Sequence, residues 1–150
     1  METRSTLRNF VAWQKAITLH ADVIRLSLTP GVARHPWLAE SLRQPAESIA
    51  GHLAAGHCRP DALGGSVLFP LVKGCCGELV SRLVAAQMAG LVEAKAAEAL
   101  ERQCEEVRRL VSGVIRARRD GEVSGDRGRA PRRPASDEGS REDDPWDNRS

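Results

Sequence analysis

His52, His57 and Cys58 fall close together in the chain and Cys75 and Cys76 stand adjacent downstream, all of them side-chain types that ligate zinc. Their spacing argues against it. A metal pair on a helix needs ligands at i and i+3 or i+4, whereas positions 52 and 57 are five apart, and no Cys-x-x-Cys occurs. Cys75, Cys76 and Cys104 are also spaced unlike the disulfide framework of a small secreted domain, and they suit a core as small apolar groups. Glu78 stands alone, and acid–base chemistry needs a second titratable group in a pocket. An ion pair with Arg43 or Arg82, setting helix register, is the expected role of Glu78. Ser48 lacks the Gly-x-Ser-x-Gly turn of an activated nucleophile, and no Gly-x-x-x-x-Gly-Lys phosphate loop is present. No catalytic residue, metal or cofactor is expected, and the chain is read as a non-enzyme.

Binding chemistry is better represented. Arg108, Arg109, Arg116, Arg118 and Arg119 gather toward the end of the last helical window, where cations also oppose the helix dipole. They are the candidate nucleic-acid contacts. Residues 1–119 carry sixteen Lys and Arg against eleven Asp and Glu, a surplus of five, while residues 120–150 carry six against nine, a deficit of three. The net charge of +2 thus hides a basic fold and an acidic tail. A weak patch of this kind gains from repetition around an oligomer.

Four windows with helical periodicity must position these groups. In the first, Phe10, Trp13, Ile17, Ala21, Ile24 and Leu28 recur at steps of three and four and predict an inward stripe, with Asn9 as N-cap and Pro30-Gly31 as stop. The second runs from Pro36 through Leu38, Leu42, Pro45 or Ala46, Ile49 and Leu53 to Gly56, with a bend expected at Pro45. Asp61 is a candidate cap for the third, which continues through Leu68, Val72, Cys75 or Cys76, Leu79, Leu83 and Ala86. Gly64, Gly65, Pro70, Gly74 and Gly77 make its beginning a poor helix, and close approach to a neighbouring helix is the expected compensation. The fourth places Leu100, Cys104 or Gln103, Val107, Leu110 or Val111 and Val114 on one face. Periodicity alone permits residues 78–119 to be one rod, with Gly90 as a single weak breaker.

Aromatics are scarce, with no Tyr, two Phe and three Trp, so an aliphatic core and an all-α architecture follow. Four amphipathic segments joined by short connections predict an antiparallel four-helix bundle over residues 1–119. Residues 120–150 hold too little apolar surface to offset the entropy of ordering and are expected to be a disordered tail. Its Arg127, Arg129, Arg132 and Arg133 could visit a polyanion, and its acidic end could fold back on the basic domain. No apolar run of about 18 residues is present, and Met1-Glu2-Thr3-Arg4-Ser5 lacks the order of an export signal, so a soluble cytoplasmic protein without membrane contact is expected.

Specific residues then carry a resemblance. Asn9-Phe10-Val11-Ala12-Trp13-Gln14-Lys15-Ala16, Leu42-Arg43-Gln44-Pro45-Ala46-Glu47-Ser48-Ile49 and Gly74-Cys75-Cys76-Gly77-Glu78-Leu79 are similar to segments of the small bacterial four-helix-bundle proteins first recognised as reading frames in intervening sequences of 23S ribosomal RNA genes. Gly90-Leu91-Val92 falls where that family turns into its last helix. The chain departs from the family at His52-Leu53-Ala54-Ala55-Gly56, where Asn-Ile-Ala-Glu-Gly is usual, and at Gln44-Pro45, where Arg-Ala is usual. The resemblance spans about residues 9 to 117. It implies an up-down bundle that assembles into a ring-shaped homo-oligomer, commonly a pentamer, with no enzymatic activity. A related branch serves reverse transcriptases of diversity-generating retroelements, binding polymerase and RNA through a basic ring surface.

Within this frame Trp13, Gln14, Lys15, Arg43 and Glu78 are the expected core or subunit-interface motif. The expected function is a self-assembling scaffold that binds RNA through its arginines. The alternative is an accessory module that binds a protein such as a reverse transcriptase and no nucleic acid.

Overall fold

A computed structural model of the chain describes residues 6–59 and 64–126, and among them all regular structure is helical. A 3-10 turn at Leu7–Asn9 leads into α1 (Val11–Ser27), a single turn α2 (Pro30–Ala33), α3 (Pro36–Cys58), a π-helical turn at Gly64–Leu68, α4 (Phe69–Met88) and α5 (Ala94–Asp126). Each long helix has two long neighbours: α1 packs on α3 and α5, and α4 packs on the same two.

Helices α3, α4 and α5 bury the faces their periodicity predicts. Leu38, Leu42, Pro45, Ala46, Ile49 and Leu53 are buried on α3, which runs through Pro45 without a break. Val72, Cys76, Leu79, Leu83 and Ala86 are buried on α4, and Leu100, Cys104, Val107 and Val111 on α5. Burying one large aliphatic side chain contributes about 1.5–3 kcal/mol, against roughly 1 kcal/mol lost per interior Gly. Phe69 and Val72, both fully buried, therefore outweigh the glycines of the first turns of α4.

The first helix is different. Its buried residues are Ala12, Ala16, Leu19, Val23 and Ser27, not the expected stripe. Phe10 and Trp13 flank the core half-buried, while Ile17, Ile24 and Leu28 remain exposed. The inward row holds two Ala and a Ser, small groups that let a neighbouring helix approach closely; a row of Trp and Ile would hold it off. Ser27 satisfies its buried hydroxyl by donating to the Ile24 carbonyl at 2.6 Å.

Helix ends also depart from expectation. Phe10 occupies the N-cap of α1, and Asn9 belongs to the 3-10 turn, where its N–H donates to Thr6 O at 2.8 Å. Pro30 does not simply stop the chain but opens α2 as its first residue. Gly74 and Gly77 face open space, so close helix approach does not explain them; tight contacts occur instead at Gly31, Gly56 and Gly65. Asp61 lies outside the described residues.

The break between α4 and α5 has a full structural cause. Gly90 is left-handed at φ 76°, Leu91 N–H donates to Ala86 O at 3.0 Å and Gly90 N–H to Gln87 O at 2.9 Å. This pair of reverse bonds is a Schellman ending, which a glycine at C′ permits. The stretch from residue 78 to 119 is consequently two helices. Helix α5, with 33 residues, is about 50 Å long against about 30 Å for the 20 residues of α4, so it outruns its partner. It continues through Asp120–Asp126, past the boundary expected at 119, and the remainder of the expected tail, 127–150, lies outside the described residues.

Candidate functional site

The first helical motif divides its labour among three contacts. Trp13 packs against the rim of the core, Gln14 Nε2 donates to the Arg8 carbonyl, and Lys15 Nζ reaches Glu106 of α5 at 3.4 Å. On the same side of α1, Asp22 accepts from Gln103 Nε2 of α5 at 2.8 Å. Gln14 therefore ties the 3-10 turn to α1, and Lys15 helps set α1 against α5.

Arg43 and Glu78 do not meet. Arg43 pairs with Glu40 on its own helix at 3.2 Å, and Arg82 donates to Ser41 O at 2.8 Å and Gln44 Oε1 at 3.1 Å. In place of the expected register-setting ion pair of Glu78, the Arg82 guanidinium links α4 to neutral acceptors on α3. Glu78 itself is exposed, and its charge adds to the burial that raises the Cys75 thiol pKa.

The five arginines of α5 are not one patch. At 100° per residue, Arg109 and Arg116 lie within about 20° of one line along the helix, and Arg108 and Arg119 lie on a second line about 80° away. Arg102, absent from the expected set, falls in line with Arg109 and Arg116 at a spacing of seven residues, a signal legible in the sequence. Arg108 is engaged with Glu105 through Nε at 2.9 Å and Nη2 at 2.6 Å. The Arg108 hydrogen bonds hold the Glu105 carboxyl below its ordinary pKa. Arg118 turns back to the bundle, its guanidinium 4.8 Å from the centroid of Phe69. Arg109, Arg116 and Arg119 project into solvent.

Arg118 belongs to a cluster that periodicity does not reveal. His57 stacks on Phe10 with ring centroids 4.7 Å apart, and Phe10 lies 6.0 Å from Phe69. A Cβ at Gly65 would meet Arg118 Nη1 at 2.5 Å, so the guanidinium lies in a slot between the π-helical turn and the Phe69 ring. The end of α3, the 3-10 turn, the π-helical turn and α5 converge here.

His57 is thus a stacking partner. Cys58 is exposed, His52 and Cys75 are half-buried, and no three His, Cys, Asp or Glu side chains among the described residues are grouped to hold a metal. Burial pushes the Cys76 and Cys104 thiols up to about 12, with further increases from the Cys75 thiol at Cys76 and from the Cys76 thiol at Cys104. Such thiols keep their protons at neutral pH and are poor nucleophiles. Ser48 is half-buried in the middle of α3. No described helix is long and apolar enough to cross a membrane.

No protein-family model and no curated protein matches the chain.

Proposed function

We propose that this protein is a non-catalytic up-down four-helix bundle that assembles with copies of itself in the cytoplasm and serves as a scaffold for RNA. The observation that carries self-assembly is the outer row of α1: Ile17, Ile24 and Leu28, 39%, 40% and 70% exposed, continue the line of half-buried Trp13. An apolar row of this length on a helix whose other face is already packed favours association over solvation. The resemblance to the intervening-sequence family supports the same reading and, with it, a ring such as a pentamer.

Contacts at both ends of the helices support the up-down connection. Gly56, late in α3, lies against Phe69 at the start of α4, and Gly31 of α2 lies against the Leu91 carbonyl that links α4 to α5. RNA contact is assigned to Arg109, Arg116 and Arg119, with Arg108 and Arg118 held in place beside them. Four free thiols are compatible with a reducing compartment.

Light scattering on the purified chain, paired with retention of labelled RNA at low and high salt, tests this. A defined oligomer that Ile17→Asp with Ile24→Asp converts to a folded monomer is the expected result, together with salt-sensitive RNA retention. A native chain that is monomeric and indifferent to RNA at low salt overturns it.

A second reading, a module that grips a protein such as a reverse transcriptase without RNA, is favoured by Leu28, Trp37 and Met88, the last two 64% and 83% exposed near the turns that join α1 to α3 and α4 to α5. Co-purification of a stable hetero-complex lacking RNA distinguishes it.

A further inference from the structure

The end of the molecule that carries the aromatic cluster is also where positive charge collects. Arg8 lies in the 3-10 turn, Arg59 caps α3, and Arg116, Arg118 and Arg119 lie on the part of α5 that reaches this end. The segments are brought together by the Phe10, His57, Phe69 and Arg118 contacts. The three acids of α5 in this region, Asp120, Glu122 and Asp126, follow the arginines on the arm that projects onward. Among the described residues, the end face itself is left positive.

The chain leaves α5 at this same end. Past Asp126, the sequence 137–147 holds Asp137, Glu138, Glu142, Asp143, Asp144 and Asp147 against one arginine, Arg141. Asp137 lies eleven residue steps beyond Asp126, a reach of up to about 36–40 Å when extended. The return distance from Asp126 to Arg118 is about 12 Å along the helix, and crossing one helix width adds about 10 Å. The acids can therefore reach the face.

We propose that the acidic segment 137–147 docks on this basic end of its own bundle and competes there with RNA. Tethering holds the segment at an effective concentration in the millimolar range, so weak ion pairing suffices to occupy the face when no stronger polyanion is present. Arg118 contributes more than its charge. Its guanidinium is already immobilised against Phe69 and Gly65, so pairing with a carboxylate costs less side-chain entropy than at a free arginine. Competition with RNA rests on the RNA reading of the arginines given above; docking of the segment does not.

The test uses the full chain and a variant with D137N, E138Q, E142Q, D143N, D144N and D147N. In the first arm, the Nε–H resonances of Arg116, Arg118 and Arg119 are compared between the two proteins at low and high salt. Shifts that separate the proteins at low salt and vanish at high salt are expected; identical arginine spectra at low salt overturn docking. In the second arm, fluorescence anisotropy follows a labelled oligouridine, and the amide variant is expected to bind about 3- to 10-fold tighter at low salt. Equal binding by both overturns the competition. Binding by neither, with the arginine shifts present, overturns the RNA reading and leaves docking supported.

Discussion

The Phe69 ring occupies the space that a side chain at position 56 would need: a Cβ on Gly56 would lie 2.5 Å from Cε1 and 3.0 Å from Cδ1. Because Phe69 is fully buried, with Arg118 over one face and Phe10 nearby, the ring has nowhere to retreat. The late turns of α3 and the first turn of α4 meet closely at this contact.

Gly56→Ala is expected to destabilise the fold by about 1–3 kcal/mol, although alanine is the better helix former. Urea unfolding followed by circular dichroism measures it. A gain in stability would show that the contact relaxes freely.

Gly74→Ala and Gly77→Ala are expected to do the opposite. Nothing lies within 4 Å of a Cβ at either position, and both are within α4, so each substitution is expected to stabilise by about 0.5–1 kcal/mol. A loss on the same urea assay would reveal a neighbour that covers these positions in the assembled state.

Alkaline pH is expected to weaken the fold. The Cys76 and Cys104 thiols are pushed up to about 12 by burial, whereas in the unfolded chain they release protons near the ordinary thiol value of 9.0. Their contribution is whole below about pH 9 and is lost as pH rises from there toward 12, at a slope of about 1.4 kcal/mol per pH unit per thiol. Unfolding titrations between pH 8 and 11 on the native chain and on Cys76→Ala with Cys104→Ala compare the slopes; equal slopes would remove the assignment. In a thiol-modification assay at neutral pH, exposed Cys58 is expected to react first and the buried pair only on unfolding.

Lys15→Ala is expected to change monomer stability by less than about 0.5 kcal/mol, because its partner Glu106 is as solvated as the lysine itself and exposed pairs are worth little. A larger effect in thermal melts, dependent on protein concentration, would locate Lys15 at a subunit contact.

Helicity, the inward faces of α3, α4 and α5, and the alternatives left at Cys104 and Val111 resolve along the predicted lines, because in those helices the residues at the periodic positions are the ones that are buried. Where α1 offers two rows, periodicity cannot choose. The bulky row of Trp13, Ile17, Ile24 and Leu28 carries the stronger hydrophobic signal, yet the row of Ala12, Ala16, Leu19, Val23 and Ser27 is buried. Gly90 is a comparable case: its residue type permits a break, and the bonds from Leu91 and Gly90 back into α4 make one.

Amino-acid order alone determined that this chain is helical, which residues form the inward faces of three of its long helices, and that a basic fold precedes an acidic stretch. Those properties depend on neighbours three and four residues apart, which the sequence displays directly. Only the tertiary structure decided which side of α1 faces inward, that Arg118 leaves the arginine row to lie on Phe69, and that His57 stacks on Phe10. Each of these depends on groups tens of residues apart and on how closely two helices approach, a distance set by side-chain size at the contact and carried by no local pattern.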